Sequence, residues 1–317
     1  MEKKVAVVAI GGNSLIKDSK HTSTADQYLA AKETAVHIVD MIESGWDVVV
    51  GHGNGPQVGF ILQKAEIAYG AIGLPMAGLD VCGAQSQGQI GYALAQNLQN
   101  ELKRRGINKP VASVIEQTVV DRNDPAFSNP TKPIGGFMTE AEAKKRKEEE
   151  GWTVIEDAGR GWRRVVASPI PQEIVELEAI RTLISAGIVT ISVGGGGIPV
   201  IRREDGDLEG IAAVIDKDFG NSLLASLINA DMLLISTAVE KVALNFGKPN
   251  ETWLDKLSLA DAKRYLAEGT HFKGGSMAPK IQACINFLER GGKSALITNP
   301  ENIGRALKGE TGTWILP

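Results

Sequence analysis

Apolar positions along this chain fall into two recurring patterns. Short non-alternating runs at Lys4–Ile10, 47–50, 111–120, 188–193, Met232–Ser236 and 295–298 read as strands, most of them buried on both faces. Between them apolar residues return at helical spacing. Ala31, Ala35, Ile38, Val39 and Ile42 form one such stripe, ending at Gly45, and a long helix is predicted over 81–105 with Gly106 behind it. Ile174, Leu177, Ile180, Leu183 and Ile184 predict a helix over 172–186, and three more follow at 219–228, Leu259–Glu268 and 279–290. Strand–helix alternation of this kind predicts an α/β fold with a largely parallel sheet covered on both faces. The alternation lapses over residues 121–168, where Asn129-Pro130-Thr131-Lys132-Pro133, a charge-dense segment and Trp152 and Trp162 replace it. This stretch is expected to be a protruding subdomain inserted into a single domain spanning 1–317. Its run AKKRKEEE (residues 143–150) balances acid and base along a helix and reads as a solvated face, not a nucleic-acid patch.

The glycines are placed where strands end. Gly11-Gly12-Asn13 follows the first strand, Gly51-His52-Gly53-Asn54-Gly55-Pro56 the second, and Gly194, Gly195, Gly196 and Gly197 the run at 188–193. In open parallel sheets ligands bind outside the carboxyl ends of the strands, so glycine loops repeated at that edge point to one shared crevice. Beyond the tetraglycine comes a hairpin-like excursion at 202–208. The chain then returns through Val214 and Ile215 to Asp216-Lys217-Asp218, a lysine between carboxylates at a helix start. Residues without Cβ let backbone N–H groups approach a ligand, and a helix N-terminus adds oriented donors, which together make anion-handling architecture.

Composition works by exclusion. A chain of 317 residues with 43% hydrophobic and 23% charged residues has the makings of an ordinary packed core. A net charge of −4 gives no general attraction for nucleic acid or anionic membrane, so any phosphate recognition has to be local. Cys82 and Cys284 do not make a disulfide framework, which fits a reducing cytoplasm, and the four histidines show no metal-ligand spacing. The amino-terminal apolar run is too short for a signal segment, and no run reaches membrane-span length.

Two familiar signatures fail. Gly292-Lys293-Ser294 resembles the end of a phosphate-binding P-loop, but Phe287 stands where its first glycine belongs, and the triplet precedes a strand. The glycine cluster at 51–55 has Pro56 in place of the third glycine of a dinucleotide fingerprint. What remains is a set of glycine loops with isolated lysines: Lys132, Lys217, and Lys280 just after Pro279 at the start of a helix. Phosphoryl transfer needs such equipment, because charge spread over the migrating group must be met by positioned cations and donors. No Ser-His-Asp or Cys-His constellation competes.

Seven blocks, in order along nearly the whole chain, resemble those of carbamate kinases. They are Ala9-Ile10-Gly11-Gly12-Asn13, residues 52–59, residues 129–135, Glu156-Asp157-Ala158-Gly159-Arg160-Gly161-Trp162-Arg163, residues 194–199, Ile215-Asp216-Lys217-Asp218-Phe219, and residues 275–280. The resemblance implies the three-layer α/β/α sandwich of the amino acid kinases and the reversible reaction of ATP and carbamate to ADP and carbamoyl phosphate. Most of that superfamily carries a lysine where this chain has Ala9; carbamate kinases are similar in lacking it, and the charge is implied to come from Lys132. By the same resemblance Lys217 and Lys280 hold the nucleotide phosphates, with Asp218 orienting them and Asp216 behind. Gly11, Gly12, Asn13, Gly53 and Asn54 offer donors to the small planar anion, and the tetraglycine lines the reacting end. The implied ligand is Mg-ATP or Mg-ADP, the metal arriving on the nucleotide and not on a protein site. The implied assembly is a cytoplasmic homodimer, with a place in arginine metabolism. The segment Thr237-Ala238-Val239-Glu240-Lys241 departs from the family's adenine-side loop, which leaves nucleotide preference open.

Overall fold

The computed structural model describes residues 4–12, 15–16, 20–157, 159, 161–272 and 276–317. The first apolar run forms β1 (Lys4–Ile10), and α1 (Thr24–Glu43) opens at Ser23, which closes a reciprocal capping box with Asp26. There follow β2 (Trp46–His52), α2 (Gln57–Ile72), α3 (Leu79–Arg104), β3 (Val111–Ser113) and β4 (Gln117–Val120). After α4 (Pro125–Ser128) come β5 (Lys132–Met138), α5 (Glu140–Glu150), β6 (Val154–Glu156) and β7 (Trp162–Val166). The chain continues through β8 (Pro171–Ile174), α6 (Leu177–Ser185), β9 (Val189–Ile191), a 3-10 turn at Gly194–Gly196, β10 (Ile198–Arg202) and β11 (Leu208–Gly210). Then come α7 (Lys217–Leu227), β12 (Met232–Ser236), β13 (Val242–Leu244), β14 (Thr252–Leu254), β15 (Lys256–Ser258) and α8 (Leu259–Glu268). Last are α9 (Met277–Glu289), β16 (Ser294–Thr298), α10 (Ile303–Leu307) and β17 (Thr313–Leu316).

The main sheet runs β15-β17-β16-β12-β1-β2-β9-β3. From β16 to β3 every pairing is parallel, and β17 joins β16 antiparallel. The expected mainly parallel α/β/α sandwich is what forms. In β1, Ala6, Val8 and Ile10 pack with Ile38 of α1 and Leu94 of α3, while Val7 and Ala9 pack with Leu224 of α7 and Ile285 of α9. A strand read on both faces has no polar side to alternate with, which is why the sequence shows an unbroken run.

Several expectations change. The run 111–120 is two strands: β3 pairs with β9 in the main sheet, whereas β4 pairs with β10 and β8 in a second sheet, β11-β10-β4-β8. Local β propensity is the same either way, and only the available partner strands decide where the run divides. Ile174 belongs to β8 and not to the helix, because the backbone there pairs antiparallel with β4 and α6 begins only at Leu177. The helix α2 is not signalled by periodicity: Val58 and Leu62 are buried, but Ile67, Tyr69 and Ile72 point to solvent. Predicted starts of α3, α7 and α9 fall two residues late. The 202–208 excursion is the turn of an antiparallel β10–β11 hairpin.

Residues 132–166 build a separate antiparallel sheet, β5-β7-β6, carrying α5. The charged run of α5 forms i,i+4 pairs, Lys144–Glu140 and Arg146–Glu150, and exposes nearly all of its side chains.

Candidate active site

Strand order places the site. β1 is flanked by β12 on one side and β2 on the other, and the chain reverses its direction of sheet growth there. The crevice outside the carboxyl ends of these strands is the position where an open α/β sheet binds ligands. A cleft of about 380 Å³ opens there, with walls from Gly12 after β1, Gly53 and Asn54 after β2, Gly195 after β9 and Thr237 after β12. The sheet β5-β7-β6 supplies the opposite wall through Lys132, Ile134 and Arg163.

The Asp-Lys-Asp motif folds as the start of α7. Asp216 is the N-cap and accepts from the Asp218 N–H at 2.9 Å, so Lys217 and Asp218 occupy the first two helical positions. Asp218 is buried and bridges two lysines, accepting from Lys217 Nζ at 2.5 Å and from Lys280 Nζ at 2.8 Å. Lys280 comes from the first turn of α9, after Pro279. Across the cleft, Lys132 at the head of β5 donates to Asp216 Oδ2 at 2.6 Å. Although it stands in the proline-punctuated segment 129–133, Lys132 is the first residue of a strand.

Burial alone would raise the Asp218 carboxyl, but the charges and hydrogen bonds of Lys217 and Lys280 outweigh it and hold the group well below the ordinary carboxylate range. Burial drives the Lys217 ammonium down, opposed by Asp218, and Lys280 reinforces the fall. At Lys280 burial acts in the same downward sense, yet the Asp218 charge prevails and the net direction is up. Lys132, Arg163, Lys217 and Lys280 outnumber Asp216 and Asp218 in the cleft wall, which leaves it positive in a molecule that is negative overall. A polyanion is the complementary ligand.

The tetraglycine divides. All four are buried, but only Gly195 lines the cleft; Gly194, Gly196 and Gly197 stay out of it. Gly195, Gly196 and Gly197 take φ of 69°, 90° and 99°, and the loop is entered through Val193 at φ 54°, an uncommon conformation for a β-branched residue. A Cβ on Gly220 of α7 would come within 2.8 Å of the Gly196 Cα. The loop therefore seats the helix that carries Lys217 with no room between them. Gly11 also stays out of the cleft lining, and Asn13 lies outside the described residues. His52 is buried, its Nδ1 2.8 Å from the Gly53 carbonyl, and burial pushes its imidazole down to about 4.

Arg163, the last residue of the block 156–163, joins the cleft wall without being singled out by the sequence. It donates through Nη2 to the Gly135 carbonyl at 3.0 Å and stacks over Phe137. The signal was the strand period: in β7, Arg163 faces the cleft while Arg164 turns the other way, toward Glu66 and Trp152. In the departing segment 237–241, Thr237 lines the cleft, Glu240 takes the Thr311 hydroxyl, and Lys241 pairs with Asp255 at 2.5 Å. Ala9 is fully buried within the sheet, so β1 contributes no charge to the site.

The chain belongs to the amino acid kinase family, whose model matches residues 4–299. Within it, several relatives aligned over nearly full length are carbamate kinases. The Clostridium perfringens carbamate kinase is 50% identical, over 98% of this chain and 99% of its own. The carbamate kinase-like protein YqeA of Escherichia coli is 54% identical over 99% of each chain. Among solved structures, the carbamate kinase of Giardia lamblia bound to AMP-PNP superposes with a TM-score of 0.91 at 41% identity, covering 99% of each chain.

Proposed function

We propose that this chain is a carbamate kinase, catalysing ATP + carbamate ⇌ ADP + carbamoyl phosphate. The observation that carries the reading is Asp218 holding Lys217 and Lys280 together on one wall, facing Lys132 on the other. Lys217 and Lys280 neutralise the phosphates of the Mg-nucleotide. Asp218 fixes both ammonium groups, so little reorganisation is required when charge develops. Lys132 meets the transferred phosphoryl and the carbamate, and Asp216 holds it until substrate displaces that contact. Gly12, Gly53, Asn54 and Gly195 surround the small planar anion, with Arg163 beside them; Gly11 supports the turn after β1. Carbamate is already an anionic nucleophile, so positioning and charge neutralisation suffice. His52 is neutral and bound to its neighbouring carbonyl, in keeping with a reaction that asks for no strong base.

Residues 121–168 act as a subdomain whose sheet brings Lys132 and Arg163 to the substrate. The chain is a homodimer joined through the α2–α3 face, where Ile67, Ile72, Leu74, Met76 and Val81 are each 45% to 74% exposed. A cytoplasmic location accords with two free, buried cysteines and with the lack, among the described residues, of a helix long and apolar enough to cross a membrane.

The test is ATP formation from carbamoyl phosphate and Mg-ADP. Because some relatives are named only carbamate kinase-like, two other outcomes are diagnostic. ATP-dependent phosphorylation of a different small carboxylate or of a nucleoside monophosphate, without carbamoyl phosphate turnover, would make this another amino acid kinase. Tight ADP binding with no transfer at all would make it a nucleotide sensor.

A further inference from the structure

Beneath the tetraglycine lies a carboxyl group that the reaction does not use. Glu116, in the break between β3 and β4, is 0% exposed. Its Oε1 accepts from the Thr118 hydroxyl at 2.6 Å, and its Oε2 has no hydrogen-bond partner. No cation pairs with it among the described residues. Its backbone is tied to the same loop. Gln87 Nε2 donates to both the Glu116 and Gly194 carbonyls, Gln87 Oε1 accepts from the Glu116 N–H, and the Ile198 N–H donates to the Glu116 carbonyl at 3.0 Å. Gly197 rests directly on the side chain: a Cβ there would meet Thr118 Oγ1 at 1.9 Å and Glu116 Oε2 at 2.9 Å.

We propose that Glu116 is a positioning residue: as a neutral carboxyl it clamps the Gly194–Gly197 loop, and through the loop Gly195 and the start of α7, while loss of its proton releases them. A buried carboxylate with one oxygen unpaired is unstable against both water entry and movement of whatever covers it, and here the cover is the loop. The surroundings favour the neutral form. Burial pushes the group up, the Thr118 hydrogen bond pulls it partly back and the charge of Glu176 adds to the rise, with the net result about 8. Glu176, at the head of α6, holds the Gln117 N–H and Nε2. From β2 the titratable neighbour of the loop is His52, kept neutral by burial. The loop presents glycine, α3 presents Gln87, and β10 presents Ile198, none of which titrates. Because the folded-state value lies above the ordinary one, the stability this group confers is complete below the ordinary carboxylate value and is lost as pH rises toward about 8.

The inference rests on the kinase reading for its consequence but not for its test. Amide hydrogen exchange over 193–198 in the full chain, corrected for intrinsic base catalysis, is compared at about pH 7 and about pH 9.5. Wild type is expected to lose about tenfold protection and Glu116→Gln less than about twofold. Equal losses in the two proteins would overturn the proposal. Thr118→Val gives an independent arm: removal of the hydroxyl that stabilises the carboxylate should move the transition to higher pH, and an unmoved or lowered midpoint would also overturn it. In turnover of carbamoyl phosphate with Mg-ADP, Glu116→Gln should flatten the alkaline decline. Absence of turnover in every variant would count against the kinase reading, whereas the exchange result decides the role of Glu116 by itself.

Discussion

At the scale of single residues, three lysines of the same type do different work because of what holds them. Lys217 and Lys280, on helices α7 and α9, share the buried Asp218, with side chains only 14% and 15% exposed, whereas Lys132 is 30% exposed and belongs to the sheet β5-β7-β6. Lys132→Ala is therefore expected to lower kcat by about 100-fold, on the order of 3 kcal/mol of transition-state stabilisation, with ADP affinity little changed. Lys217→Ala should impair both, since it also leaves Asp218 short of one of its two partners. Steady-state kinetics together with calorimetric ADP titration separates the two patterns, and loss of ADP binding in Lys132→Ala would refute the division. The lysines were legible in the sequence because each sits beside glycine, proline or carboxylate at an element's start, where a surface charge has little reason to be. Arg163 was harder to read, since two adjacent arginines look alike until the strand assigns them opposite faces.

At the scale of elements, α7 is the part on which the site depends, and its neighbours leave it no slack. Asn221 fills the space where a Cβ on Gly51 of β2 would fall, and Gly220 lies against the Gly196 backbone. Gly220→Ala would drive a methyl into that backbone contact. The expected result is a loss of about 1–3 kcal/mol in urea unfolding, accompanied by a raised KM for ADP because the helix start moves with Lys217. A stability loss with unaltered ADP kinetics would show that the contact serves packing alone. The Asp216-Lys217-Asp218 motif marked the neighbourhood of the α7 start, although the predicted helix began two residues late, but the helix α2 could not be read at all. Its apolar residues face both the core and solvent, so no stripe marks it.

At the scale of the whole molecule, the cleft exists because strand order brings together the ends of β1, β2, β9 and β12, segments spread along the chain from Lys4 to Ser236. The same assembly leaves the apolar α2–α3 face open. If a second copy covers it, sedimentation at micromolar concentration should report a dimer. Ile72→Asp should shift it toward monomer, because a charge at the centre of an apolar contact is desolvated without a partner. A monomeric wild type would rule the interface out.

The sequence by itself determined the class of fold, the strands β1, β2, β9, β12 and β16 of the main sheet, glycine loops at the ends of β1, β2 and β9, and three of the cations in the cleft. These are local matters: burial on two faces produces unbroken apolar runs, and a ligand that must be approached by backbone calls for glycine near lysine. Tertiary structure decided that residues 111–120 divide between two sheets, that Ile174 pairs as a strand, and that only Gly195 of the four glycines faces the cleft. It also set Glu116 under that loop with one oxygen unpaired. Each of these depends on which distant segment arrives as a neighbour, and a partner's identity is not encoded in the stretch that receives it.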